Sequence, residues 1–281
     1  MKIIKSPKTM QRVCRGIKQK GKIIGFVPTM GYLHEGHLSL VRVAKKKSDV
    51  LVVSIFINPT QFGPKDDFKR YPKDLKRDKR LLKEIGCDFL FVPDIKNMYP
   101  EGYDTYVEVE NLTRILEGAS RPEHFKGVTT IVAKLFNIVQ PDIAVFGQKD
   151  FQQAVVIKRM VKDLNFPVKI IVAPTIREKS GLALSSRNLY LSDEEKKQAL
   201  VLYQSLNLAK KMIESGERDS RRIKNRMRLL IQKKPKAKID YIAINDSETL
   251  RPLKKLKGNV LISLAVRVGK TRLIDNVRIK V

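Results

Sequence analysis

Several things are scarce in this chain, and each scarcity excludes something. It holds two cysteines, Cys14 and Cys87, far apart in sequence. They build neither a disulfide framework nor a cysteine zinc site, so a reducing, cytoplasmic setting is expected. Apolar runs are short. The longest, residues 50–57, is interrupted by Ser54, well below the ~20 residues that span a bilayer. Lys and Arg break up the first thirty residues, which predicts no secretory segment. There are no internal repeats and no low-complexity tracts. Acid is short relative to base, with 29 Asp and Glu against 57 Lys and Arg and a net charge of +28. Such a charge permits attraction to phosphates, nucleic acid or acidic membranes and says nothing about fold. Histidine is rarer still, at three. What remains is ordinary for a folded protein: 281 residues, 42% hydrophobic and 31% charged, enough for one large domain or two modest ones.

The N-terminal part alternates strand and helix patterns. Residues 22–27, 50–57, 89–92, 143–146 and 168–172 read as strands. Residues 36–47, 74–85, 128–139 and 151–164 read as helices. The 50–57 run is β-branched and continuous, as a strand buried on both faces requires. This rhythm predicts an α/β, Rossmann-like, doubly wound parallel sheet. Past Pro174 the rhythm changes. Residues 175–188 read as a polar loop. Ser192 and Glu195 form a capping box that opens a long helix to about Gly216, and a second helix covers 220–232. Three strand patterns follow, at 239–244, 260–268 and 273–281. Helices followed by adjacent strands predict a smaller α+β C-terminal domain. The expected division is 1–175 as a Rossmann-like nucleotide-binding domain and 176–281 as the smaller lid domain.

The first stretch that carries chemistry is Pro28-Thr29-Met30-Gly31-Tyr32-Leu33-His34-Glu35-Gly36-His37. It lies between the first strand and the first helix, where open α/β sheets bind ligands. Gly31 and Gly36 let backbone approach a ligand, and a helix start offers unpaired N–H groups to phosphate. His34 and His37, three apart, share a face. Such a pair is as readily structural or metal-binding, but no third ligand stands near except Glu35, which the helix turns elsewhere. Lys149 and Asp150 open a helix at another strand end, where Lys149 either reaches a phosphate or simply solvates the helix start. Gln153 lies four residues on, on the same face. Gln61 follows the turn signal Asn58-Pro59-Thr60, and its amide suits a hydroxyl and a carboxylate or merely the surface. Ser185, Ser186 and Arg187 follow the flexible-looking residues 178–181. They suit a phosphate chain under a closing segment, or form an ordinary turn. Asp74 and Asp78 read as one exposed face of an amphipathic helix rather than a metal site.

The His-x-Gly-His turn resembles that of the nucleotidyltransferase superfamily. Five strings in order make the resemblance specific to the pantothenate synthetase family: residues 28–40; Phe56-Ile57-Asn58-Pro59-Thr60-Gln61-Phe62; Arg121-Pro122-Glu123-His124-Phe125-Lys126-Gly127-Val128; Phe146-Gly147-Gln148-Lys149-Asp150-Phe151-Gln152-Gln153; and Leu184-Ser185-Ser186-Arg187-Asn188. Residues beyond 188 match only in length and strand pattern. Tyr32 stands where the family pattern has a small residue, and Gln148 where it has Glu.

The resemblance implies an ATP-dependent ligase: pantoate and ATP form pantoyl adenylate and pyrophosphate, and β-alanine displaces AMP. It implies ATP contacts at Met30, Gly31, Tyr32, Leu33, His34, Glu35, Gly36, His37, Gly147, Gln148, Lys149, Asp150, Ile176, Leu184, Ser185, Ser186 and Arg187. His37, with His34 and Lys149, is the implied catalytic group. Gln61 and Gln153 are implied for pantoate, and Gln61 again for β-alanine. Mg²⁺ should accompany ATP, with ligands the sequence does not reveal, and a homodimer is expected. Arg121 and His124 are expected in a loop near β-alanine or pyrophosphate, with no role assigned to either. A nucleic-acid binder is the reading from charge alone, but the basic run 210–238 lacks the interleaved aromatics used for base stacking.

Overall fold

The computed structural model describes residues 1–64 and 66–281. They form two compact units, Met1–Gly147 with Gln153–Pro174, and Gln148–Gln152 with Thr175–Val281.

The first unit is built on β1 (Lys2–Ile4), α1 (Pro7–Gln19), β2 (Ile24–Thr29), α2 (Glu35–Lys46), β3 (Val50–Ile55), α3 (Leu75–Glu84), β4 (Phe89–Phe91), α4 (Ile95–Met98), α5 (Glu117–Ser120), α6 (His124–Val139), β5 (Ile143–Gly147), most of α7 (Phe151–Asp163) and β6 (Lys169–Ala173). All six strands run parallel in the order β1, β4, β3, β2, β5, β6. The expected doubly wound sheet is therefore present. Alternation along its strands divides the core in two. Ile24, Phe26 and Val52 face a cluster with Met10 and Cys14 of α1 and Phe136 of α6. Val27, Leu51 and Val53 face Leu38 and Val41 of α2 and Leu82 of α3. Helices cover both faces, which is why these strands read as unbroken apolar runs.

Chain order reverses at β2, whose neighbours are β3 on one side and β5 on the other. Ligands in such sheets bind beyond the carboxyl ends of the strands at that reversal. Both thiols are buried and pushed up to about 12 by desolvation, so neither is a nucleophile at neutral pH.

The second unit contains α8 (Asp193–Ala199), α9 (Val201–Glu214), α10 (Ser220–Gln232) and the antiparallel strands β7 (Ala237–Asp246), β8 (Asn259–Val268) and β9 (Thr271–Lys280). Ser192 and Glu195 close the expected capping box. The single helix read from 192 to 216 is interrupted at Leu200, which keeps right-handed helical angles and still accepts from Gln204 N at 3.0 Å. Leu202, Leu206, Ile223, Met227, Ile262 and Leu264 form this unit's own core.

Candidate active site

The turn after β2 is held from several directions. Thr29 Oγ1 donates to the Ser54 carbonyl at 2.8 Å and accepts from Gly31 N at 3.2 Å. Gly31 and Tyr32 then take positive φ, 83° and 51°. For tyrosine that conformation is strained. Asp78 of α3 stabilises it by accepting from Tyr32 N and Leu33 N, both at 2.8 Å. The expectation of an exposed Asp78 is thus corrected: the side chain is 1% exposed. Helical periodicity placed it on α3 but could not show that its partners lay in a loop 45 residues upstream. Burial raises its carboxyl above the usual range, against the amides of Leu33 and Tyr32 and the charge of Arg77. Arg77 also lies over the Tyr32 ring, 5.3 Å from its centroid.

The turn delivers His34 to the N-cap of α2. His34 Nδ1 accepts from Gly36 N at 3.1 Å, and His37 Nδ1 accepts from His34 N at 3.4 Å. The two histidines close a capping box between themselves, with ring centroids 4.1 Å apart. A ring that accepts at Nδ1 is neutral and carries its proton on Nε2. Both side chains are therefore donors at Nε2, at the positive end of a helix. Glu35 turns to Arg42 on the outer face and is paired with it.

After β3, residues Pro59–Gln61 make a single 3₁₀ turn. Asn58, 1% exposed, is its hub. Asn58 Nδ2 donates to the Gly127 carbonyl at 3.0 Å and to Gln61 Oε1 at 3.1 Å. Its Oδ1 accepts from Tyr99 Oη at 2.7 Å and Thr60 Oγ1 at 3.1 Å. Gln61 Nε2 meets Met30 Sδ at 3.4 Å, which brings two of the expected site residues together. The Gln61 carbonyl takes His124 Nδ1 at 2.8 Å and Arg121 Nη2 at 3.3 Å, and Arg121 is braced by Asp66 at 2.8 Å. Gly127 lies so close that a Cβ there would stand 2.4 Å from the Thr60 carbonyl oxygen. Asn58, Asp66 and Tyr99 were not singled out by sequence. The only signal was the Asn-Pro-Thr turn itself.

Gly147 ends β5, and Gln153, half-buried, stands near the start of α7. The other expected residues belong to the second unit. There Gln148, Lys149 and Asp150 form a 3₁₀ turn rather than opening the helix directly. Asn276 Nδ2 donates to the carbonyls of Gln148 at 3.0 Å and Lys149 at 2.9 Å. Lys149 Nζ lies 3.6 Å from Asp150 Oδ1. The stretch read as flexible is a hydrogen-bonded hairpin: Glu178 N donates to Leu182 O, and Leu184 N to Ile176 O. Arg177 staples it, bidentate to the buried Asp275 at 2.6 and 2.8 Å and bonded to Gly181 O at 3.1 Å. Ser185 Oγ then caps the 3₁₀ segment Ser186–Tyr190 by accepting from Arg187 N at 3.3 Å.

Among the described residues no three His, Cys, Asp or Glu side chains converge to hold a metal ion. Asp78, the carboxylate under the histidine turn, already spends both oxygens on amides.

Comparison with known proteins matches this arrangement to one family. A family profile described as Pantoate-beta-alanine ligase covers residues 2–278. The pantothenate synthetase of Moorella thermoacetica is 56% identical over 281 residues, 100% of this chain and 99% of that protein. The pantothenate synthetase of Caldicellulosiruptor bescii is 54% identical over 99% of this chain and 98% of its own. Among solved structures, a pantothenate synthetase from Thermus thermophilus superposes with a TM-score of 0.94 at 45% identity, covering 99% of both chains. A pantoate-beta-alanine ligase from Francisella tularensis, complexed with beta-gamma ATP and beta-alanine, gives 0.79 at 39% identity, over 99% of this chain and 97% of its own. With a profile match across nearly its whole length and relatives identical at more than half of all positions, the chain belongs to the pantoate-beta-alanine ligase family.

Proposed function

We propose that the ATP-dependent ligation of pantoate with β-alanine, the reaction of the family to which this chain belongs, runs here through a pantoyl adenylate. A carboxylate is a poor acyl donor, and adenylation gives it a leaving group. That step asks mainly for donors and positive charge around the phosphates and for in-line positioning. His34 and His37, each with its proton on Nε2 at a helix N-terminus, supply such donors, and His37 is assigned the proton-donating role. Residues 30–37, Gly147, Gln148, Asp150, Ile176 and Leu184 are assigned to ATP. Lys149, Ser185, Ser186 and Arg187 are assigned to its phosphates. Residues 1–175 then form the domain for ATP and pantoate, and 176–281 the smaller lid domain.

The observation that carries the reading is the Gln61 amide, held by Asn58 beside Met30 at the end of β3. A neutral amide suits the hydroxyl and carboxylate of pantoate, whereas a phosphorylated acceptor would want Arg or Lys. Gln153 is assigned to the same substrate and Gln61 also to β-alanine. Magnesium is proposed to arrive on the nucleotide, where it would neutralise charge on the phosphates; among the described residues no three His, Cys, Asp or Glu side chains are grouped to hold it.

The test is pantoate-dependent exchange of labelled pyrophosphate into ATP without β-alanine. Exchange above background is expected, and its absence would remove the adenylate from the pathway. A cytoplasmic homodimer is also proposed. Sedimentation at twice the 32.2 kDa chain mass is the expected result, and a monomer at micromolar concentration would refute the dimer.

A further inference from the structure

We infer that His124 is a positioning residue for pantoate: by donating Nδ1–H to the Gln61 carbonyl it fixes the turn that presents the Gln61 amide. The inference rests on the reading of Gln61 as a pantoate contact.

The direction of these hydrogen bonds is decided by chemistry. A carbonyl only accepts, so His124 Nδ1, 2.8 Å from Gln61 O, is the donor. Its Nε2 is then the acceptor and takes Arg121 Nη1 at 3.3 Å. The ring is neutral and used at both ends. Burial, and then the Arg121 charge, keep it so, lowering its titration to about 4 against the opposing pull of the Gln61 carbonyl, Glu117 and Asp66. Arg121 cannot swing away, because Asp66 holds its other nitrogen at 2.8 Å.

Other contacts converge on the same short turn. Asn58 holds the Gln61 side-chain oxygen at 3.1 Å, and the Gly127 backbone packs against Thr60 and Gln61 N without room for a Cβ. Glu123, just before His124, sits at φ 67°, a strained conformation that marks a site built for position. With three residues and one internal bond, from Phe62 N to Pro59 O at 3.2 Å, the turn has little stiffness of its own. Its geometry is imposed by the start of α6, through His124 and Gly127.

Two amide substitutions separate this role from general support. His124→Asn keeps a donor nitrogen where Nδ1 stands. His124→Gln moves its nitrogen out toward the Nε2 position, with similar polarity at the same helix start. Measured with the full chain, His124→Gln and His124→Ala should raise the KM for pantoate about tenfold, the loss expected for one substrate hydrogen bond left out of place. His124→Asn should stay within about threefold of the parent. ATP affinity, titrated without pantoate, should stay within about twofold in all three. Equal impairment of the Asn and Gln variants overturns the inference, and so does an equal loss of ATP and pantoate affinity. Gln61→Ala is the control. If it leaves the pantoate KM unchanged, the reading of Gln61 fails and takes the inference with it. If it raises that KM while His124→Gln behaves as the parent, the inference alone fails.

Discussion

His37 has one observed role and one assigned to it, and they can be measured apart. Its Nδ1 accepts from His34 N and closes the capping box of α2, and its Nε2 carries the proton assigned to adenylation. His37→Ala should lower pyrophosphate exchange by about two to four orders of magnitude, the range for a positioned proton donor. It should also cost about 0.5–1.5 kcal/mol of stability through the lost capping-box hydrogen bond. His37→Asn offers an oxygen near the Nδ1 position and should recover the stability without the rate. Thermal melts beside exchange assays decide it. Recovery of the rate in the Asn variant would show that Nε2 is not the donor.

His124 makes the second prediction, in stability. Unfolded, its ring protonates near 6.5; folded, only near 4. Between those values the unfolded chain binds the extra proton. Stability therefore rises with pH across that window, is lost as pH falls through it, and stops changing below about 4. The swing is a few kcal/mol at about 1.4 kcal/mol per unit. His124→Asn should flatten this slope relative to the parent, as denaturant melts at about pH 4.5 and 6.5 would show. Parallel slopes would mean that His124 titrates normally. Asp78 works in the opposite sense. Its raised carboxyl binds protons more readily in the folded chain, so its burial costs stability at neutral pH and is kept for the turn it holds.

At the scale of elements, α6 and the Pro59–Gln61 turn are pressed together at Gly127. Helix propensity alone says that Gly127→Ala should stabilise by up to about 1 kcal/mol. Contact with Thr60 and Gln61 backbone says that it should destabilise by about 1–3 kcal/mol. Destabilisation is the expected outcome, together with a raised pantoate KM. A more stable variant with unchanged KM would show that the turn can yield.

The elements also show what sequence could reveal. α2, β3 and α10 follow from period and caps, and they lie within a residue or two of where periodicity places them. β1 and α1 went unread, although Ser6 and Pro7 are a helix-start signal and Met10, Val13, Cys14 and Ile17 repeat at helical spacing. There the many lysines and arginines obscured a narrow apolar stripe, and a three-residue edge strand has no period to detect. The five motifs directed attention to the turns after β2 and β3, where Gln61 meets Met30 and the two histidines pair. The contacts of Asp78 with the histidine turn, of Asn58 with Gly127 and Tyr99, and of Asp66 with Arg121 stayed invisible because those partners lie on other elements, and no local pattern encodes a contact across the fold.

For the whole molecule, the dominant electrostatic property is its +28 charge. If it is a solvated surface, pyrophosphate exchange should vary little with salt. Binding of random duplex DNA should be gone by about 200 mM, where non-specific phosphate contacts weaken by orders of magnitude. Filter binding across a salt series measures this, and retention at that salt would revive a nucleic-acid role. Among the described residues no helix is long and apolar enough to cross a membrane.

The reversal of strand order at β2 has a consequence in time. Gly25 pairs with Ile143, and Ile24 N is held by Asp142, so the centre of the sheet joins residues more than a hundred positions apart. Contacts that distant form late, because closing so long a loop is entropically expensive. On a ribosome, the histidine turn is made early and then waits, with one side of β2 bare, until β5 has been synthesised. From the end of β2 at Thr29 until β5 is complete at Gly147 the chain therefore carries its first motif and an unpaired apolar strand edge together. The interval in which this enzyme most needs protection from aggregation is also the one in which its most recognisable sequence is already in place.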